Sequence, residues 1–208
     1  METLGWFRKI AVLGIARPAN RLGIHRAQVT MLRLIVGVLA AGCMAMGPDW
    51  FTPAAAVFFV GFMLAHADAG LADRSGNKAP TDDRYGFYTE VFCNSLAFIG
   101  LGIGFQLSGA ALKSTELGFP PPVIMGLIAA FAVGIVPWLA KRLEVIDGRR
   151  SPEFEGMSGF DGDDITVLVP IALLVGWAEG LLVLAACGGI AFAGGLYMAH
   201  FRKYHSLT

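Results

Sequence analysis

Charge is scarce in this 208-residue sequence: Asp, Glu, Lys and Arg together make up 15% of it, against 55% hydrophobic residues. A chain this apolar is not disordered, and its mean hydropathy of +0.61 leaves too little polar surface to cover a water-soluble globule. Net charge is missing as well, because sixteen basic side chains balance sixteen acidic ones, so nothing marks nucleic acid as a partner. Cysteine is scarce and scattered. Cys43, Cys93 and Cys187 fall singly in apolar runs, which excludes the close pairs of a zinc or dithiol site and reads as core packing. Met1 to Asn20 lacks a continuous apolar core followed by a small-residue cleavage site, so it reads as an amphipathic helix lying on the membrane rather than a cleavable signal. No internal repeat or low-complexity tract divides the chain, and 1–208 reads as a single domain.

What the sequence does have is long apolar runs. They cover Val29 to Met46, Trp50 to Ala67, Val91 to Leu107, Pro122 to Ala140, Ile165 to Trp177 and Leu181 to Ala199, each bounded by Gly, Pro or charged residues. About 20 apolar residues cross a bilayer as a helix. The expected fold is therefore all-α: a polytopic membrane protein of six transmembrane helices preceded by an N-terminal amphipathic interfacial helix. The fifth run is short for a span and needs residues from Asp163 and Asp164 or from Ala178. Of the sixteen Lys and Arg, Arg33 lies just inside the first run, and all the others but Lys113 fall in the N-terminal segment, in alternate loops or in the tail. Basic loops stay on the cytoplasmic side, which predicts the cytoplasmic membrane with both termini facing the cytoplasm and an even number of spans. Gly100 and Gly104, four apart, form a small-xxx-small face that lets helices approach closely.

Ionisable residues in or beside spans are costly, and those that persist are candidate functional groups. On the second helix His66, Ala69 or Gly70, and Asp73 fall on one face, and on the third Glu90 and Asn94 are four apart. Asp68 sits about 200° round from His66 on a regular helix. The run from Phe160 to Asp164 lacks the spacing of a calcium loop and reads as acids opening the fifth helix, complementing its N-terminal dipole. Arg142, Arg149 and Arg150 read as groups that meet lipid headgroups.

The stretch His66-Ala-Asp-Ala-Gly70-Leu-Ala-Asp-Arg74, followed by Gly86-Phe-Tyr-Thr-Glu90-Val-Phe-Cys-Asn94, resembles a degraded CDP-alcohol phosphotransferase signature, D-x-x-D-G-x-x-A-R-x8-G-x-x-x-D-x-x-x-D. The run Arg26 to Arg33 is similar to that family's Pro-Asn-x-x-Thr-x-x-Arg segment before its first span. The resemblance covers the span architecture across nearly the whole chain, but the motif only in part. His66, Ala69, Glu90 and Asn94 stand where the family has its four aspartates; Asp73 replaces the alanine of the Ala-Arg pair; and eleven residues rather than eight separate Arg74 from Gly86. Asp73, one turn beyond Ala69, or Asp68 after a one-residue slip would each restore one carboxylate.

What the resemblance implies is a divergent enzyme of phospholipid biosynthesis. It would transfer a phospho-alcohol group from a CDP-linked lipid or alcohol to a hydroxyl acceptor and release CMP. Its implied catalytic residues are Glu90 and Asn94, with Asp161, Asp163 or Asp164 as substitute carboxylates. Gly70, Arg74 and Gly86 would bind nucleotide and phosphate, and His66, Asp68, Asp73 and Glu90 would hold a divalent metal, Mg or Mn, if the enzyme is active. An amide cannot take up a proton, so Asn94 cannot serve as a general base. The rival expectation is a catalytically inactive relic, without cofactor, acting as a membrane binding or assembly protein. A transporter is disfavoured because the polar residues gather at one face of the membrane rather than at its midplane. Gly70 and Gly86 also fit a packing role. Membrane lipids and a CDP-linked lipid or alcohol are the expected partners, and the glycine-rich helix faces permit a homodimer.

Overall fold

The computed structural model describes residues 6–74, 80–109, 112–147 and 166–206, and all regular structure among them is helical. α1 covers 6–21 and contains a π-helical turn at Val12–Ala16. α2 is Arg26–Ala45, α3 Phe51–Arg74 and α4 Pro80–Ser108. α5 is the single turn Lys113–Glu116, α6 is Pro122–Asp147 and α7 is Leu168–Leu174. α8 runs over 178–206 through a second π-helical stretch at Leu184–Gly188.

Among the described residues five stretches are long and apolar enough to cross a membrane: Arg26–Ala45, Pro48–Leu71, Tyr85–Ser108, Pro122–Ala140 and Ala178–Ala199. The chain is therefore an all-α membrane protein. The difference from the expected six lies at Ile165 to Trp177. The helix described there, α7, has seven residues and rises about 10 Å, a third of the hydrocarbon thickness. It ends where the sequence dictates: Gly176 takes φ 73°, and the amides of Gly176 and Trp177 donate back to the carbonyls of Leu173 and Ala172. That left-handed cap closes a helix in two residues and suits glycine because no Cβ opposes it.

α1 differs in part from a helix that simply rests on a membrane. It has exposed basic residues at Lys9, Arg17 and Arg21 and exposed Ile10, Leu13 and Leu22, but its alanines Ala11 and Ala16 are buried with Leu64, Ala67 and Leu71 of α3. Phe7 meets Phe62 edge-on with ring centres 5.4 Å apart. This helix is docked on the bundle.

α2 organises the rest. His25 donates its backbone N–H to the Gln28 side chain at 3.0 Å, satisfying a group at the start of α2. The inward face of α2 then reads Thr30, Arg33, Gly37, Ala40, Ala41 and Met44, polar at one end and small or apolar at the other. At the apolar end α4 packs tightly: Gly100 and Gly104 lie against the carbonyls of Ala41 and Met44, so close that a Cβ at either would overlap those oxygens. This is the packing expected of the small-xxx-small pair. α4 also packs extensively on α6, whereas α3 and α4 meet at few points although both lean on α2.

Candidate functional site

Where α3 and α4 diverge beside the polar end of α2, a cavity of about 90 Å³ remains. Its polar lining comes from three helices: Arg33 from α2, His66 from α3, and Glu90, Cys93 and Asn94 from α4. Ala69 lines it too, and Thr166, just before α7, borders it. Helical spacing accounts for the grouping, because residues three or four apart share a face and α2 holds the two faces toward each other.

One ion pair dominates the electrostatics. Arg33 Nη2 lies 3.1 Å from Glu90 Oε2, with the Arg33 side chain 7% exposed and that of Glu90 31%. Arg33 is seven residues into α2, about 10 Å along its axis, so its charge sits inside the span. A charge at that depth requires a partner, and Glu90 is that partner. The Cys93 sulfur lies 4.0 Å from the Arg33 carbonyl oxygen. Phe62 stands edge-on to the His66 ring with centres 4.6 Å apart, fixing the imidazole against an apolar wall.

A second polar group lies on the other side of α3. Arg26 Nε donates to Asp68 Oδ1 at 2.9 Å, and the Thr30 hydroxyl is 3.1 Å from both that oxygen and the Arg26 carbonyl. Asp68 is 3% exposed. Gly86 closes over the pair, since a Cβ there would stand 3.1 Å from Asp68 Oδ2 and 3.3 Å from Arg26 Nη2.

His66 and Ala69 of α3 and Glu90 and Asn94 of α4, two pairs on different helices, thus share one cavity. Asp68 is not with them; the turn of the helix sends it toward Arg26 and Thr30. Gly70 faces α1, where a Cβ would collide with Val12, so its bare backbone serves helix packing. Gly86 serves the Arg26–Asp68 pair. The side chains of Asp73 and Arg74, and Asp161, Asp163 and Asp164, lie outside the described residues.

These positions bear on the expected metal. Among the described residues no three His, Cys, Asp or Glu side chains come together in a way that would hold an ion. The described donors at the cavity are an imidazole, a thiol, an amide, the Thr166 hydroxyl and one carboxylate paired with Arg33, whereas Mg²⁺ needs several oxygen ligands and their negative charge. The described residues do not fit a pair of Mg²⁺ ions.

Arg33, Arg26 and Thr30 were not among the site residues read from the sequence. A signal for them was there: Arg26, Thr30 and Arg33 are spaced i, i+4, i+7, which puts two cations and a hydroxyl on one face of an otherwise apolar helix. Cys93 gave none, since a lone Cys in an apolar run looks like packing wherever it faces.

No protein-family model matches the chain, and no curated protein matches it either.

Proposed function

We propose that the chain is a divergent CDP-alcohol phosphotransferase embedded in the membrane, whose cavity between α3 and α4 receives the phosphate end of a CDP-linked lipid or alcohol. The observation that carries this reading is the convergence of His66, Ala69, Glu90 and Asn94 on one cavity. The sequence resemblance aligns those four residues with the family's four aspartates, and the two pairs come from different helices. A cavity of about 90 Å³ is small beside the ~300–1,000 Å³ of whole-ligand pockets. It has room for a phosphoryl group and a few waters, so cytidine and lipid would lie outside it.

In this reading the acceptor hydroxyl gives its proton to Glu90, and its oxygen attacks the phosphorus bonded to the alcohol. The bond from that phosphorus to the CMP phosphate breaks, and CMP leaves with the electron pair. Asn94 holds the acceptor oxygen by hydrogen bonding, the role an amide can fill. The metal ion implied by the resemblance enters none of these steps.

We further read the chain as a six-span protein of the cytoplasmic membrane, with both termini and the cavity mouth toward the cytoplasm. In it α7 belongs to the fifth crossing. Five spans would put the termini on opposite sides, yet basic residues gather at both ends of the chain and only Lys113 falls on the other side. Arg142, stacked 5.2 Å over the ring of exposed Trp138, has the amphipathic pairing suited to a headgroup region.

The test is CMP release from CDP-linked lipids by purified protein, across alcohol acceptors and with Mg²⁺ or Mn²⁺. Release should be lost in Glu90→Gln and should rise about tenfold or more in Asn94→Asp, which supplies a second carboxylate where a base is expected. Ala69, which offers no ligand, favours a second reading as an inactive relic that binds or assembles other membrane components. Absence of release under all these conditions would decide for the relic.

A further inference from the structure

We propose that Arg33, rather than a divalent ion, is the cation that meets the ligand's phosphate in this cavity, making it a metal-independent site for a phosphate ester or diphosphate. The inference rests on the reading of the cavity as a phosphate site and goes beyond it by naming the group that supplies the positive charge.

The first support is charge. A lining rich in carboxylates admits a phosphate only when metal ions reverse its sign. The described lining here carries one positive guanidinium and one negative carboxylate, so it is neutral with His66 uncharged and needs no cation to admit an oxyanion. The second is geometry. Guanidinium presents five N–H donors in a planar fork, and the ion pair with Glu90 engages the Nη2 edge at 3.1 Å. The fork matches two phosphate oxygens, and Arg33 lines the cavity in which they would sit. Burial is the third: the Arg33 side chain is 7% exposed, and a charge-assisted hydrogen bond is stronger where water does not compete. Cavity size completes the argument, since about 90 Å³ suits a phosphoryl group and not a nucleoside.

Glu90 then has a further role. While no phosphate is bound it neutralises Arg33 inside the span; once phosphate shares the fork, the carboxylate serves as the base of the proposed transfer. Asn94 and Cys93 add polar groups without adding charge.

The experiment is CDP binding to the purified full-length protein in detergent, measured by calorimetry with excess EDTA and again with Mg²⁺. The expected dissociation constants agree within about twofold, inorganic pyrophosphate competes with CDP, and Arg33→Gln weakens CDP binding at least tenfold. Arg33→Gln leaves Glu90 without its cation, so the double variant Arg33→Gln/Glu90→Gln, which removes both charges together, is measured beside it and should bind as poorly. Binding that EDTA abolishes, binding that survives in the double variant, competition by cytidine but not pyrophosphate, or no CDP binding in either condition would each overturn the proposal. EDTA-insensitive, Arg33-dependent binding without CMP release would leave it standing and remove the transferase reading alone.

Discussion

At Arg33 and Glu90 the two partners are unequally buried, with side-chain exposures of 7% and 31%, and the consequences of losing either are correspondingly unequal. Glu90→Ala strands a guanidinium among apolar neighbours, and breaking a buried pair from one side costs about 3–5 kcal/mol. Arg33→Met strands the more exposed of the two partners, so we expect the smaller loss, about 1–2 kcal/mol after discounting for exposure. The double variant Arg33→Met/Glu90→Met should be more stable than Glu90→Ala. Thermal unfolding in one detergent across the variants checks the order, and equal losses for the two single changes would contradict it. Glu90 and Asn94 could be read directly from the sequence because their spacing marks one helix face. The pairing of Glu90 with Arg33 could not, because which helix faces α4 is not written in any local pattern.

Helix packing sets the next scale. At Gly70 two effects compete: alanine in a helix is favoured over glycine by about 1 kcal/mol, but a Cβ there meets the stiff, β-branched Val12 of α1. We expect the collision to win, so that Gly70→Ala loosens α1 from α3 and lowers stability by about 1 kcal/mol. Adding Val12→Ala should recover that loss, and limited proteolysis near residue 22 reports whether α1 remains docked. At Gly104 a new Cβ would strike the Met44 carbonyl, backbone that has no rotamer to yield. Gly104→Val should therefore destabilise by about 3 kcal/mol, read as a lowered melting temperature in micelles. Gly100 and Gly104 were legible as a packing face from their four-residue spacing. Gly70 fits packing and ligand approach equally well until α1 is seen against it.

For the whole molecule, the arrangement in the membrane yields the sharpest expectation. In a cysteine-free background, Lys113→Cys should react with an impermeant maleimide from outside intact cells, while Arg202→Cys should react only after lysis. Labelling of both from the same side would overturn the six-span orientation. The apolar run at Ile165 to Trp177 shows why the span count was difficult to read. Hydropathy registers the greasiness of Leu168 to Val175, whereas the C-terminal end of the helix is set by the left-handed cap at Gly176.

The sequence by itself determined the all-α class, the membrane setting, the apolar stretches corresponding to the five long helices and the polar positions on α3 and α4. Such features follow from composition and from a period of 3.6 residues, which act within one segment. Only the tertiary structure decided that α2 lies between α3 and α4, that Arg33 closes on Glu90 while Arg26 takes Asp68, and that Gly70 belongs to α1. Those outcomes depend on contacts between segments 38 to 60 residues apart, from Thr30 with Asp68 to Arg33 with Cys93, and are set by which faces fit and which charges must be paired once water is excluded.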